Sequence, residues 1–360
     1  MTNTVYIISN SDINLKFDEP RKVLLRIYGE GVDNILNRID ELSWFIKLSK
    51  ARAGPKLLVT FQNGRIEEYI ESVTLTPKMM RNSQVSGLIA KALAKFHKLE
   101  ISIDEIVLWE RIEIWRHEAG KTFKLLLKRL TESGGEHMKI TGENIAVDHL
   151  EITGEEHMKI TGGENMKITG EEHVIITDSV IDQRKIAVLL KIKEHAIFDE
   201  REFNEETGKF KKHFDKLLNY NFPIVPCHND LQHGNILLND VNKIILIDYE
   251  YGGMNYAAYD IANHFCEWAS DFTEENSTPH VMNFAVNYPN LEEREHFLRE
   301  YLGEFNDDDG SISVWLEAIE DLKEISHLLW AYWGIIQANN SKIDFDYLGY
   351  SLMRLEAMSL

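Results

Sequence analysis

Cysteine and long apolar runs are both scarce in this sequence. Only two of the 360 residues are cysteines, Cys227 and Cys266, so no disulfide framework holds the fold together, and both thiols are expected to be small buried hydrophobes. No apolar run reaches the roughly 18 residues that span a bilayer, and the N-terminus lacks the pattern of a secretory leader. These absences predict a cytoplasmic protein without membrane insertion.

Positive charge is also in short supply. The chain has 39 basic residues against 59 acidic ones, which gives a formal net charge of −20 at pH 7. Because such a surface repels nucleic acid and mildly favours cationic small molecules nearby, we expect no nucleic-acid partner. The hydrophobic share of 44% is ordinary for a globular protein, and the length allows two lobes with a sizeable core.

Residues 1 to 70 have the pattern of a small sheet with one helix. The β-branched runs TVYIIS (4–9) and VLLRIYG (23–29) flank a polar break, as in a hairpin. Apolar residues at helical spacing follow from residue 34 to Gly54, and KLLVTF and RIEEYI then flank the hairpin turn Asn63-Gly64. From about residue 84 the pattern is mainly helical, which indicates a second unit from 71 to 360.

Residues 131 to 178 contain an internal repeat. EHMKITG occurs at 136 and 156, with related copies at 148, 164 and 172, and the segment has no proline and no aromatic residue. One interpretation is a small β-rich module, whose histidines would be candidate metal ligands: His137, His149, His157 and His173. The interpretation that we favour is a low-complexity insertion that cannot bury enough surface to order itself.

The stretch PCHNDLQHGNILL (226–238) concentrates polar groups between two apolar runs. Such a stretch is also typical of an ordinary turn. Asp230 and Asn235 lie five residues apart on it, and Asp248 follows a hairpin of two apolar runs. Phosphoryl transfer to an alcohol needs this set: one carboxylate accepts the hydroxyl proton, and an asparagine and a second aspartate hold magnesium. The protein-kinase catalytic loop has the same spacing from aspartate to asparagine.

Two residues of the first 70 extend the comparison with a kinase site. Arg26 lies on the second predicted strand, where a kinase places the lysine that grips phosphates, and Glu41 on the following helix is a plausible ion-pair partner. The alternative is an ordinary surface pair, which is worth little energetically.

The sequence resembles the choline/ethanolamine kinases, and within that family it is most similar to choline kinases. The resemblance covers almost the whole chain except 131 to 178, and its segments are VLLRIYG, GPKLLVTFQNGRIEEYI, CHNDLQHGNILL, IDYEYGGMNYAAYDIANHFCEWASDF, LLWAYWGIIQA and FDYLGY. It implies an α+β, protein-kinase-like bilobal fold, related to aminoglycoside phosphotransferases. The small sheet-rich nucleotide-binding lobe would be 1–70, and the mainly helical catalytic and choline-binding lobe would be 71–360.

The same resemblance implies phosphorylation of choline by ATP with Mg²⁺, the first step of phosphatidylcholine synthesis by the CDP-choline route. Asp230 would be the catalytic base, Asn235 and Asp248 would be the magnesium ligands, and Glu250 would support the metal site or fix the loop. Family members are often dimers, so a homodimer is a further expectation. The implied nucleotide contacts are Arg26 with Gln232 at the phosphates, Glu41 behind Arg26, and the hinge residues Glu68, Tyr69 and Ile70 at the adenine.

For the acceptor pocket, the chemistry of a quaternary ammonium agrees with the resemblance. Such a cation cannot donate hydrogen bonds, so aromatic faces and a carboxylate bind it best. Trp330 and Trp333 are three residues apart and share one helix face, although plain core packing is the alternative. The resemblance adds five residues to the pocket: Asp230, Tyr251, Tyr256, Glu267 and Tyr350. His264 is interpreted as a buried hydrogen-bonding residue.

Three departures from the family pattern stand beside this assignment. The start MTNTVYI resembles only the tail of the family's glycine-rich phosphate loop, Phe272 stands where choline kinases often have tyrosine, and the repeats at 131–178 are foreign to the family. One alternative is an ethanolamine kinase, which uses the same machinery, although such members tend to have Asn and Phe at the positions of Cys266 and Trp268. Another is a catalytically impaired binding protein, which the intact Asp230, Asn235 and Asp248 argue against.

Overall fold

The computed structural model describes residues 3–10, 20–29, 38–101, 106–133, 178–196, 198, 222–271, 281–306 and 311–358. The repeats at 131–178 therefore lie outside the described residues, apart from their ends, which belong to helices. Both interpretations of the repeats stay untested, and Phe272 also lies outside this part of the chain.

A four-stranded antiparallel sheet forms the N-terminal part. Its strands are β1 (Asn3–Ser9), β2 (Lys22–Tyr28), β3 (Leu57–Phe61) and β4 (Gly64–Glu68), in the order β1-β2-β4-β3. Both predicted hairpins are confirmed by the pairing of β1 with β2 and of β3 with β4. The helix predicted from residue 34 to 54 corresponds to α1 (Arg38–Lys50), which buries Trp44, Phe45 and Leu48.

The turn between β3 and β4 requires glycine because the chain passes close to β2. A Cβ atom at Gly64 would lie 2.3 Å from the carbonyl oxygen of Arg26 and 2.6 Å from the ring of Phe61. A backbone oxygen cannot move aside without disturbing the ladder, in which Ile27 pairs with Gly64. The hairpin signal Asn63-Gly64 thus also fixes how closely β4 approaches β2.

The C-terminal part is mainly helical, as predicted. Side-chain caps begin several of its helices: Thr76 accepts from Met79, Asn82 from Gln84 and Val85, and Asp346 from Gly349. The helices are α2 (Pro77–Met80), α3 (Ser83–His97), α4 (Val107–Ser133), α5 (Asp178–His195), α6 (Ala257–Glu267), α7 (Phe284–Asn287), α8 (Leu291–Gly303), α9 (Ile312–Asn340) and α10 (Tyr347–Ala357).

Short strands place the predicted loop between the sheet and the helices. β7 (Ile236–Leu238) pairs with β8 (Ile244–Leu246), which confirms the predicted hairpin, and β5 (Val73–Thr74) pairs with β7. β6 (Ile224–Cys227) pairs with β9 (Gly253–Tyr256). A further small pair joins β10 (Ser270–Asp271) to β11 (Val281–Met282).

Helix α9 lies at the centre of the helical part and packs against α4, α6 and α10. It buries Leu322, Ile325 and Tyr332 almost completely. The N-terminal part contacts this core through Tyr249, whose hydroxyl donates to the carbonyl of Leu246 and lies 3.3 Å from the carbonyl of Ala53, just after α1. Within the described residues, no helix carries an apolar stretch long enough to cross a bilayer. The division into lobes at residue 70 stays a prediction.

Candidate active site

The loop between β6 and β7 brings Asp230 and Asn235 together. A single 3-10 turn (His233–Asn235) follows Gln232, whose side-chain oxygen accepts a hydrogen bond from the backbone of Gly234 at 2.8 Å. The turn directs the side-chain nitrogen of Asn235 at Asp230, where it donates to the backbone oxygen and to Oδ2, each at 2.9 Å. The two residues that the motif spacing singled out therefore form one hydrogen-bonded unit.

Asp248 is held beside that unit by the hairpin. The backbone N–H of Ile247 donates to the carbonyl of Asn235 at 3.0 Å. Asp248 then adopts a left-handed conformation with φ of 63°, which is uncommon for a residue other than glycine. Its carboxylate accepts a hydrogen bond from Nη1 of Arg26 on β2 at 3.2 Å. The hairpin thus joins the loop to the sheet through one ion pair.

Burial and three neighbouring carboxylates act on the pKa of Asp230 in the same direction. Burial raises the pKa of Asp230 well above its ordinary value, and the negative charges of Glu267, Glu250 and Asp248 raise it further. The hydrogen bond from Asn235 opposes the increase. A site in which negative groups converge in this way favours a bound cation, which would relieve their repulsion.

Asp260 on α6 anchors the loop, and the sequence reasoning missed it. Its two carboxylate oxygens accept the backbone N–H groups of His228 and Asn229 at 2.7 and 2.8 Å, and Nε2 of His97 lies 3.0 Å from Oδ2. Burial alone would raise the pKa of Asp260, but these hydrogen bonds and the two histidines hold it below its ordinary value. Asn229 has φ of 62°, so the anchor fixes a turn that the backbone would otherwise resist.

The predicted pairing of Arg26 with Glu41 is corrected by the structure. Nε of Arg26 donates to Glu67 at 2.9 Å, whereas Glu41 accepts from Nη1 of Arg65 at 2.8 Å. The reason is the strand register, which sets Arg26 opposite Arg65 and places Glu67 on the same face of β4. Glu67 accepts from both arginines, at 2.9 and 2.7 Å. The four side chains are buried, so the alternative of a surface pair is also wrong.

The remaining nucleotide candidates lie where the sheet continues into the helical part. Glu68 ends β4, and its carboxylate accepts from the backbone of Lys56 at 3.1 Å. Tyr69 and Ile70 follow between β4 and β5; the Tyr69 hydroxyl is 3.4 Å from Glu71, and the Ile70 carbonyl accepts from Ser72 at 2.9 Å. Their role at adenine stays a prediction.

Aromatic side chains from three helices and from the segment between β8 and β9 meet next to this loop. Trp330 and Trp333 on α9 have ring centroids 5.6 Å apart, and Trp330 lies 5.2 Å from Tyr251. Nε1 of Trp333 donates to the Tyr251 hydroxyl at 2.8 Å. Trp115 on α4, which the sequence reasoning missed, lies 5.8 Å from Tyr251, and Tyr350 on α10 lies 5.9 Å from Trp333. We call these five residues the aromatic cluster.

The aromatic cluster is joined directly to the loop that carries Asp230. The side chain of Asn229 donates to the carbonyl of Tyr251 at 3.0 Å, and Nη1 of Arg111 donates to the same carbonyl at 2.9 Å. Arg111 also lies over the rings of Trp115 and Tyr251, at 5.9 and 5.8 Å. The carbonyl of Tyr251 therefore accepts one hydrogen bond from the loop and one from α4.

Helix α6 supplies the last predicted pocket residues. Glu267 at its end is buried and forms an ion pair with Arg354 on α10, and Nε of Arg354 donates to the Tyr350 hydroxyl at 3.1 Å. Tyr256 is the N-cap residue of the same helix and is also buried. Arg354 was not anticipated from the sequence.

The expected roles of the buried histidine and cysteines are confirmed. Nδ1 of His264 donates to the carbonyl of Leu231 at 2.7 Å, and its Nε2 accepts from Nε1 of Trp268 at 3.2 Å. Cys227 and Cys266 are fully buried free thiols, and burial raises the pKa of Cys266 to about 12. Both thiols are therefore protonated at neutral pH.

Comparison with known proteins agrees with this geometry. The sequence profile described as choline/ethanolamine kinase matches residues 1–359. The chain belongs to the choline/ethanolamine kinase family. Probable choline kinase 1 of Arabidopsis thaliana is 34% identical over 360 residues, which cover 99% of this chain and 83% of that relative.

Solved structures show the same fold as this choline/ethanolamine kinase family member. An ethanolamine kinase of Plasmodium vivax has a TM-score of 0.63 at 26% identity, with 100% of this chain and 80% of that chain covered. A choline kinase of Cryptosporidium parvum has a TM-score of 0.65 at 24% identity, with 100% and 85% covered. The predicted α+β, protein-kinase-like bilobal fold is therefore confirmed.

The burial of His264 predicts a specific dependence of stability on pH. Burial lowers the pKa of His264 from 6.5 to about 4, so the unfolded chain takes up a proton at a higher pH than the folded chain does. This contribution to the free energy of unfolding is complete above pH 6.5 and is lost as the pH falls towards 4, by at most ~1.4 kcal/mol per pH unit. His264→Gln should remove it.

Urea unfolding at pH 7.5 and pH 5 measures this difference. The free energy of unfolding should fall more between the two pH values in the wild type than in His264→Gln. His117→Gln, at an exposed position of α4, should behave as the wild type does. Equal losses in all three proteins would contradict the assignment.

Proposed function

We propose that this family member is a choline kinase, which transfers the γ-phosphoryl group of ATP to the hydroxyl of choline in the presence of Mg²⁺. The observation that carries the proposal is the position of the aromatic cluster against the loop of Asp230. An ammonium group bound by the rings would hold its hydroxyl close to that carboxylate. Positioning of this kind is a large part of phosphoryl-transfer catalysis.

The polar residues fit a magnesium ion and a nucleotide. Asn235 and Asp248 offer amide and carboxylate oxygens, which are ligand types that Mg²⁺ takes, and the strand pairing between them keeps the two close. When bound, the ion would neutralise charge on the transferred phosphoryl group. Arg26, which already contacts Asp248, would be positioned for the nucleotide phosphates, with Gln232 on the opposing loop.

Asp230 would accept the proton of the choline hydroxyl. Its hydrogen bond from Asn235 fixes the carboxylate, and its raised pKa makes it a stronger base than an exposed aspartate. The neighbouring carboxylates that raise this pKa would also attract the cationic substrate.

Ethanolamine kinase is the second candidate, because a solved relative carries that name. The two positions at which the sequence favoured choline, Cys266 and Trp268, are both buried, and they contact His327 at 3.8 Å and His264 at 3.2 Å. Any influence they have on substrate choice would therefore act through packing of α6 rather than through contact with the ammonium.

Steady-state kinetics with purified protein, ATP and Mg²⁺ test the proposal. The ratio kcat/KM should be higher for choline than for ethanolamine, and removal of Mg²⁺ with EDTA should abolish turnover. An equal or reversed preference would contradict the choline assignment, and only the membership of the family would remain.

Substitution of the base should affect turnover rather than binding. Asp230→Asn keeps the shape but cannot accept the hydroxyl proton, so kcat should fall by about 10²–10⁴-fold, with little change in the KM for choline. Asp240→Asn, in the exposed turn between β7 and β8, is the matched control and should keep wild-type kinetics. Activity of Asp230→Asn within a few-fold of wild type would exclude this role.

Two tryptophans of the same helix separate recognition from packing. Trp333→Leu should raise the KM for choline about tenfold, within the range of a lost cation–π contact, and should affect ethanolamine less. Trp315 packs instead against Phe222 and Tyr301, at 5.0 and 5.5 Å. Trp315→Leu should lower the Tm through a cavity and leave both KM values unchanged. If Trp333→Leu lowers the Tm and changes the KM for both acceptors equally, Trp333 is a core residue and not a cation-binding one.

A further inference from the structure

Arg354 contacts Tyr350 of the aromatic cluster and is completely buried. Its Nη2 donates to Oε1 of Glu267, its Nε donates to the Tyr350 hydroxyl at 3.1 Å, and its Nη1 lies 3.4 Å from Nδ1 of His327. Its guanidinium also lies 5.7 Å from the ring centre of Phe284. Each edge of the guanidinium therefore has a partner.

The charge of Arg354 is directed at Glu267. His327 is fully buried, and burial together with the adjacent Arg354 lowers its pKa well below the ordinary value. His327 is therefore neutral at physiological pH. Among these three contacts, only the Glu267 carboxylate is a charged partner of Arg354. Oε1 of Glu267 thus already contacts a cation before any substrate arrives.

The three contacts of Arg354 lie on three of the helices that supply the proposed pocket. Glu267 ends α6, Tyr350 belongs to α10, and His327 lies on α9. His327 precedes Trp330 by three residues, so the two side chains are neighbours on one face of α9. A single side chain therefore links the carboxylate and the rings.

The two candidate substrates place different demands on such a carboxylate. A primary ammonium loses its hydration on binding and must regain hydrogen bonds, preferably with a carboxylate that is not shared. A quaternary ammonium has no N–H group and is bound by aromatic faces with only diffuse charge compensation. A carboxylate partly neutralised by an arginine therefore suits the quaternary cation better.

We propose that Arg354 is a positioning residue that sets the choice of ammonium group: it orients Glu267 and Tyr350, and by sharing the Glu267 carboxylate it disfavours a primary ammonium relative to a quaternary one. This inference rests on the proposed function, because it assumes that the aromatic cluster and Glu267 bind the acceptor. Arg354 itself need not touch the substrate.

Substitution of Arg354 tests the inference through the preference for choline over ethanolamine, measured as the ratio of their kcat/KM values. In Arg354→Met, kcat/KM for choline divided by kcat/KM for ethanolamine should fall about tenfold relative to wild type, equivalent to ~1.4 kcal/mol. The change should lie mainly in the KM for the acceptors, with kcat and the KM for ATP close to wild type. Arg354→Lys keeps the charge beside Glu267, so it should restore most of the ratio. If Arg354→Met does not fold, Arg354→Gln, which keeps an amide donor, takes its place with the same expectation.

A matched arginine in the same lobe controls for the loss of a stacked ion pair. Arg81 donates to Glu293 at 3.1 Å and lies 5.5 Å from the ring centre of Trp268, but it belongs to neither the loop nor the aromatic cluster. Arg81→Met should leave the substrate ratio at the wild-type value. A ratio unchanged in Arg354→Met, an equal loss for both acceptors, or no recovery in Arg354→Lys would each overturn the proposal.

The wild-type protein separates this inference from the proposed function. If wild type prefers ethanolamine, the choline assignment fails, whereas Arg354 is still judged by the shift of the ratio from that wild-type value. If wild type turns over neither substrate, tryptophan fluorescence titrations with choline and with ethanolamine give the same ratio as dissociation constants. An unchanged binding ratio in Arg354→Met would then overturn the inference.

Discussion

The Asp260 carboxylate is the constraint on which the candidate site depends. Two consecutive backbone N–H groups, of His228 and Asn229, donate to its two oxygens, and this holds Asn229 in a left-handed turn. Asp230 is the next residue, so its position follows from an ionised group buried on α6. The neighbouring His97 links the same carboxylate to Tyr301 on α8 through a hydrogen bond of 2.7 Å. The loop is therefore held in place by hydrogen bonds to the helical core.

A second network joins the sheet to this loop by charge. Glu67 forms ion pairs with both Arg65 and Arg26, and Arg26 forms a further ion pair with Asp248. Buried ion pairs of this kind add little net stability, because desolvation offsets much of the attraction, but breaking one leaves an uncompensated charge. The network therefore specifies geometry: it sets where the sheet meets the residues proposed to hold the metal ion and the nucleotide.

The aromatic cluster combines packing with recognition. Trp330 is buried and donates to Asn263 at 2.7 Å, so it contributes to the core as much as to any pocket. Trp333 remains partly exposed and its only described indole hydrogen bond is to Tyr251. The two alternatives weighed from the sequence, core residue or cation-binding residue, therefore apply unequally to two tryptophans of one helix face.

Much of the architecture could be predicted from local patterns. The β-branched runs and the Asn63-Gly64 turn determined the hairpins of the sheet, and the short spacing from Asp230 to Asn235 determined that one loop would present both. Helical spacing likewise determined that Trp330 and Trp333 share a face. In each case the residues that interact are near neighbours in the chain, and backbone geometry alone sets their relative positions.

The tertiary structure decided which distant side chains meet. Arg26 pairs with Asp248 across 222 residues, and Arg354 pairs with Glu267 across 87; no periodicity records such separations. The mistaken pairing of Arg26 with Glu41 had the same origin, because the register of β2 on β4 placed Glu67 nearer. Asp260 was visible in the sequence only as one acidic residue in an apolar helix. Its role as an anchor arises because folding removes it from water and brings two backbone N–H groups to its oxygens.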